Sequence, residues 1–307
     1  MKTYKGFDKD LKCRGFQYEI GKEYEEKEAE ACEKGFHACE NPLEVFSHYP
    51  PCDGNRYCEV EQDGELSKYG GDSKVASTKI KIGVELGLKG LIKAGVSFIL
   101  DKVNWKDDAA ANTGDCSAAV NSGSHSAAVN SGDCSTAVNS GDWSAAVNSG
   151  SRSAAANTGN WSAATNTGYK SAAVNSGYQS AAVNLGFQSA AVNSGDCSAA
   201  VNSGDCSAAT STGDYSAATN TGDYSAATNT GGRSAAEVSN GDSVAIVTGY
   251  QSKAKAGLGS AIVIAERDEW NGETYPLINI KAAIVDGEKI KADTWYTLKN
   301  GEFVECD

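Results

Sequence analysis

Chemistry in this chain would have to be done with few of the usual groups. Its 307 residues hold only 3 histidines, His37, His48 and His125, beside 10 cysteines and 40 acidic side chains. Acid–base catalysis would therefore fall largely on carboxylates. Cys32, His37, Cys39, Cys52 and Cys58 have the residue types of a zinc site, but they lack the close Cys-x-x-Cys knuckles that such sites use. No phosphate-binding glycine loop, nucleophile elbow or metalloprotease motif occurs. The expectation is a chain with no metal and no cofactor. Catalytic residues, if any, would lie within residues 1–108.

A second set of chemically distinctive residues recurs with a fixed period. From Asn112 to Glu237 the sequence is fourteen tandem nonapeptides, Asn-Ser/Thr-Gly-x-x-Ser-Ala-Ala-Val/Thr. The two variable positions after each glycine carry the rings and most of the charge. Asp142, Trp143, Trp161, Tyr169, Tyr178 and Phe187 are followed by Asp196, Asp205, Asp214, Tyr215, Asp223 and Tyr224. If the units stack, these positions become columns, an aromatic band flanked by acids that suits a protein-binding stripe. Cys116 and Cys134, two units apart, should share one edge of a coil, whereas Cys197 and Cys206 lie in adjacent units. Calcium-bound β-rolls also use nonapeptides, yet here a unit offers at most one Asp, so no calcium site is expected.

The repeat also dictates the element that positions these residues. A glycine plus Asn, Ser or Thr in every unit rules out a helix, because these residues favour turns. Ser-Ala-Ala-Val can be a short strand and Asn-Ser-Gly a turn, with glycine expected to supply φ > 0. Two units would make one coil with two strands, giving about seven coils for the regular repeats, stacked at roughly 4.8 Å with asparagine ladders at the corners. The expected core, the Ala pair plus the Val120-type position, is thin. Such a thin coil needs either very close approach of its two sheets or a partner chain covering one face, and self-association as a dimer or trimer is one expectation.

The flanks differ from the array. Residues 1–108 read as an α+β domain, with helices at Glu23 to Lys34, from Asn41-Pro42 through Tyr49, and from about Val84. Its strands are expected at Tyr57–Glu61 and Ser77–Ile82. Residues 109–264 form the solenoid, regular over 112–237 and degenerate over 238–264. Residues 265–307 read as a β-rich C-terminal cap with hairpin turns at Asp286-Gly287 and Asn300-Gly301. The fold class is thus mainly β: a two-strand-per-coil β-solenoid with an α+β N-terminal domain and a small β-hairpin cap.

The net charge of −13 is spread evenly, −4 over residues 1–108, −5 over 109–237 and −4 over 238–307. Such a surface repels phosphate backbones, so direct nucleic-acid binding is not expected. The most apolar stretch, Gly83 to Val103, is interrupted by Glu85, Lys89, Lys93 and Asp101, which argues against a membrane span. The N-terminus lacks the apolar core of a signal peptide, and reduced cysteines fit a cytoplasmic setting.

Residues 241–264, Gly-Asp-Ser-Val-Ala-Ile-Val-Thr-Gly-Tyr-Gln-Ser onward to Ile264, resemble the head repeats of YadA-like adhesins, which are trimeric β-rolls. Tyr4-Lys5-Gly6-Phe7-Asp8, Gly35-Phe36-His37-Ala38-Cys39-Glu40-Asn41-Pro42-Leu43 and Glu269-Trp270-Asn271-Gly272 are similar to uncharacterised proteins of Firmicutes and their phages. That resemblance implies a bacterial or phage cytosolic setting. The stacked aromatic and acidic columns lead to the expectation of a phage- or prophage-associated scaffold binding a host or phage protein through the solenoid surface. A sharper form would be an inhibitor of a defence protein or a nucleic-acid mimic. Gly35-Phe36-His37, followed by a short helix and the strand at Arg56, also resembles ADP-ribosyltransferase-like folds, which implies an enzyme as the alternative. A virion or surface fibre component is the other.

Overall fold

A computed structural model describes residues 1–52, 54–68, 73–102 and 109–306. They fall into two compact units, Met1–Asp101 and Lys102–Asp307. The domain boundary expected after residue 108 falls among residues 103–108, outside the described residues.

In the first unit, strands β1 (Lys2–Phe7), β5 (Phe36–Cys39), β6 (Arg56–Lys68) and β7 (Lys74–Glu85) pair antiparallel in a ring, β1 with β5 and β6, and β7 with both of those. A two-residue pair, β2 (Lys12–Cys13) and β3 (Phe16–Gln17), makes a small hairpin, β4 (Glu23–Glu25) adds to β7, and α1 spans Gly87–Lys102. Phe7, Tyr18, Phe36, Val60, Ile80 and Ile82 lie in its core. Gln62 is buried there with both ends satisfied: its amide donates to the Phe36 and Val75 carbonyls and its oxygen accepts from Thr3.

Three expectations for this unit are corrected. No helix forms at Glu23 to Lys34. Like charges at three- and four-residue spacing, with almost nothing apolar to bury, disfavour one. The segment instead contributes β4, with Glu23 and Glu25 paired to Lys81 and Lys79, and then a bridge between Glu30 and Lys34. The helix at Pro42 is a 3₁₀ turn, Pro42–Ser47, capped as expected by Asn41, whose side-chain oxygen accepts from the Leu43 N–H. The apolar helix begins at Gly87 because β7 keeps its pairing through Glu85.

The second unit is the solenoid, of about nine turns. Four-residue strands recur every nine residues from β8 (Ala109–Asn112) and β9 (Ala118–Asn121) to β24 (Lys253–Ala256), and β25 (Ala261–Arg267) follows one residue early. Alternate strands join into two parallel sheets, each residue paired with the one 18 positions on, as Ala127 with Ala145 and Asn130 with Asn148. At roughly 4.8 Å per coil the rod is about 43 Å long.

Three side chains of each unit point inward: the serine, the second alanine and the asparagine. The valine points away from the interior of the coil, contrary to expectation: Val120 and Val174 are exposed, although Val183 and Val201 at the same place in the other sheet are buried. Pleating explains this, because residues two and four of a strand share a face and asparagine holds the fourth place. Each asparagine is bonded to backbone rather than to another asparagine. The Asn175 side chain donates to the Ser162 and Ala181 carbonyls of neighbouring strands in the opposite sheet and accepts from the Gly177 N–H. Serine side chains form a second ladder, Ser162 N–H donating to Ser180 Oγ and Ser180 N–H to Ser198 Oγ. The interior is thus narrow, and its polar atoms are largely hydrogen-bonded within the rod.

The glycines serve a different purpose from the one expected. None in the array has positive φ. The residue two places after each does, for example Trp143 at +57° and Trp161 at +50°. Glycine is required by approach: a Cβ on Gly177 would lie 1.9 Å from the carbonyl oxygen of Gly159, one coil below.

Towards the C-terminus the asparagine place is taken by Val238, Val247, Ala256 and Ile264, so the interior turns apolar. Antiparallel pairing then closes both sheets. Strand β26 (Leu277–Ile284) covers β25, and β27 (Trp295–Lys299) covers β24 and pairs with β28 (Glu302–Cys306). Asn300-Gly301 makes the β27–β28 turn, with positive φ at both residues as a two-residue hairpin requires. Asp286-Gly287 is not a hairpin between strands. The Asp286 carboxylate accepts from the N–H groups of Glu288, Lys289 and Ile290 and so organises the loop before β27.

Candidate functional site

Because successive units sit on opposite edges of the rod, the variable residues make two separate columns of side chains. The first edge carries Asp142, Trp143, Trp161, Tyr178, Asp196, Asp214 and Tyr215. The second carries Tyr169, Phe187, Asp205, Asp223 and Tyr224. The single band expected from the sequence is therefore divided. Reading units in order treats sequence neighbours as spatial neighbours, whereas in a two-unit coil the true neighbour is 18 residues away.

Positive φ at the second variable residue fixes the column. With the backbone in the left-handed region, the N–H of Trp143 donates to the Asn160 carbonyl of the next coil at 2.9 Å, and that of Lys170 to the Phe187 carbonyl at 3.0 Å. The side chains are then held in step. On the first edge His125 stacks on Trp143 (5.8 Å between centroids) and Trp143 on Trp161 (5.2 Å), and the Trp161 indole donates to Gln179 at 2.6 Å. On the second edge Tyr169 stacks on Phe187 at 5.9 Å, with Lys170 over the Tyr169 ring. Tyr224 is the most exposed of these rings, at 68 %.

The acids work partly for the rod. Asp142 accepts the N–H of Asn160, Asp196 that of Asp214, Asp205 that of Asp223, and Asp214 that of Gly232. Each such carboxylate caps the coil above it, so much of the acidic column is structural.

The edges differ in access. At the C-terminal end of the first edge the segment after β25 folds over, and Tyr275 stacks on Tyr250 at 4.1 Å beside Trp270. Along the second edge a shallow groove of about 590 Å³ crosses five coils from Lys170 to Asp242, floored by Ala172, Ala190, Ala208 and Ala226.

The first unit holds a pocket of about 570 Å³ lined by Lys5, Arg14, Glu26, His37, Cys39 and Lys74 together with Tyr4, Phe16, Tyr18, Phe36 and Tyr49. Lys5 projects into it from β1 and donates to the His37 carbonyl at 2.7 Å, with Cys13 Sγ at 3.5 Å. Burial pushes the Lys5 ammonium below its usual range, and Arg14 adds to this while Cys13 and Cys39 oppose it. Burial also lowers the His37 imidazole, followed by Lys5 and then, more weakly, Arg14 and Lys74. Residues 1–94 match a domain of unknown function (DUF7666). The matched domain thus contains this whole pocket and none of the repeats. No curated protein and no solved structure matches the chain.

Sequence reasoning missed this pocket. Its one legible signal is Lys5 within the otherwise uncharged run Thr3-Tyr4-Lys5-Gly6-Phe7, where burial covers both faces of the strand. Of the residues considered for zinc, Cys32, His37 and Cys39 line the pocket, whereas Cys52 and Cys58 are buried, the Cys58 thiol raised by burial to about 11. Among the described residues no three His, Cys, Asp or Glu side chains are grouped to hold a metal ion, and the ten cysteines form no disulfide.

Proposed function

We propose that this chain is an interaction scaffold, non-catalytic along its rod, that binds a protein partner through the second edge of the solenoid. The observation carrying this reading is the open groove from Lys170 to Asp242 with Tyr169, Phe187 and Tyr224 exposed on the same edge. Its flat, alanine floor suits an extended backbone, and exposed rings make efficient anchors. The first edge, with half-buried tryptophans and a covered end, suits this less. Nucleic-acid mimicry is disfavoured because so many rod carboxylates are bound to backbone N–H groups. The setting we infer, on the resemblance of the chain's ends alone, is a bacterial cytoplasm in which the partner is a host or phage protein. Dimer or trimer formation belongs to the same proposal, with Ile278, Ile280 and Ile284 exposed on the terminal strand β26 as its best-placed surface.

The test is partner capture from a bacterial lysate with the intact chain and two triple variants. Tyr169→Ala/Phe187→Ala/Tyr224→Ala should lose the partner, and Trp143→Ala/Trp161→Ala/Tyr178→Ala should keep it. Identical capture by all three proteins would end the proposal.

A further inference from the structure

We infer that the pocket of Met1–Asp101 binds a small molecule that joins an anionic group, phosphate or carboxylate, to a planar ring, with Lys5 holding the anion. The inference is independent of the rod and of its partner.

Charge is the first argument. Among the described residues, the lining of this pocket holds three cations, Lys5, Arg14 and Lys74, against one carboxylate, Glu26, although residues 1–108 as a whole carry −4. A local excess of positive charge in an acidic unit focuses anions into the cleft. Its strength registers on His37, which all three cations push towards the neutral form.

Lys5 is the second argument. It is 5 % exposed, lies over the Phe7 and Tyr18 rings, and makes no ion pair with a carboxylate among the described residues. A buried cation without a counter-charge is costly, and an anion entering the pocket supplies one. Its one short hydrogen bond, to the His37 carbonyl, and the two ring faces leave its charge without an anionic partner among the described residues.

The rings are the third argument. Tyr4, Phe16, Tyr18, Phe36 and Tyr49 share the lining with the cations, and Phe16, Tyr18 and Tyr24 are already set edge to face at 4.8–5.5 Å. A purely inorganic ion would leave this apolar wall wet, whereas a planar ring would cover it. The volume of about 570 Å³ is in the range of small-molecule sites.

The pH dependence follows from the groups facing Lys5: Cys13, Arg14 and Tyr18 from the β2–β3 hairpin region, Glu26 beyond β4, His37 and Cys39 from β5, Tyr49, and Lys74 from β7. Anion binding favours protonated Lys5, so binding takes up a proton once pH exceeds the depressed pKa. Affinity should therefore fall as pH rises.

The experiment is calorimetric titration of the intact chain with adenosine 5′-monophosphate, benzoate, adenosine and inorganic phosphate across pH 6 to 9. At least one of the two ring-bearing anions should bind about tenfold or more tightly than both adenosine and phosphate, as a charge-assisted bond adds to ring burial. Lys5→Met should remove that advantage and flatten the pH profile. Arg14→Asn, at a residue with φ of +50° that asparagine tolerates, should weaken binding in a fold left intact even if Lys5→Met fails to fold. Ring-bearing anions that bind no better than adenosine, or variants that bind like wild type, would overturn the inference.

Discussion

The two units solve the same problem, how to present a few reactive side chains, in opposite ways. In the first unit the groups that could bind a ligand come from distant parts of the sequence: Lys5 meets the carbonyl of His37, and Lys74 lines the same pocket. In the solenoid the repeat contacts join a residue to those on its neighbouring coils, so most side chains at variable positions stay at least partly displayed, Gln179 being a buried exception. Nonlocal folding makes one enclosed site, whereas repetition makes many open ones. The first can favour chemistry on a small molecule, and the second favours contact with an extended partner.

Substitutions in the stacked glycines should break this comparison most forcefully. A Cβ at Gly177 would meet the Gly159 carbonyl at 1.9 Å, whereas at Gly114, in the first repeat, the nearest atom is Asn112 Oδ1 at 3.5 Å. Gly177→Ala should destabilise the rod by about 3 kcal/mol or more, and Gly114→Ala by less than about 1 kcal/mol. Thermal unfolding of both variants checks this. Equal effects would mean that the glycines serve φ and not proximity.

This contrast also marks what was legible in the sequence. The period, the two-strand coil, the degenerate repeats and the hairpin at Asn300-Gly301 were readable because each is a local signal repeated or flanked by turn residues. The direction of the valines and the role of glycine were not. Both depend on how closely one coil lies on the next, which a single unit does not specify. The band of rings was legible as a set, but its division between two edges depends on the coil. The pocket around Lys5 was hidden because its parts are far apart in sequence and none belongs to a motif.

A smaller effect of opposite sign is expected where the repeat is imperfect. Ser211 occupies an asparagine place, and its hydroxyl is buried without a hydrogen-bond partner. Ser211→Asn restores the side chain that elsewhere bridges the two sheets. It should raise stability by about 1 kcal/mol, seen as a higher unfolding midpoint. No gain would show that the ladder tolerates gaps.

The smallest effect lies on the surface of the first unit. Arg56 grips Glu85 through two bonds, at 2.9 and 2.6 Å, and this pairing holds the Glu85 carboxyl below its usual range despite partial burial. A depressed folded pKa gives stability that is complete above the ordinary glutamate pKa and is lost as pH falls through the folded value. Glu85→Gln should therefore cost less than about 1 kcal/mol near neutrality, because the pair is partly solvated. It should cost progressively less in acid. Unfolding curves at neutral and acidic pH check the sign, and a loss that grew towards low pH would contradict it.

The central claim is that side chains 18 residues apart are neighbours and those 9 apart are on opposite edges, and the native cysteines test it directly. Cys116 and Cys134 stand one coil apart on the second edge, whereas Cys197 and Cys206, closer in sequence, lie on the first and second edges. Stacked positions are roughly 5 Å apart, while a four-residue strand alone separates the edges by about 13 Å. A short thiol-to-thiol cross-linker applied to the folded chain, followed by peptide mass mapping, should join Cys116 to Cys134 and leave Cys197 and Cys206 unlinked to each other. Efficient linkage of Cys197 to Cys206, with Cys116 and Cys134 left separate, would contradict the account.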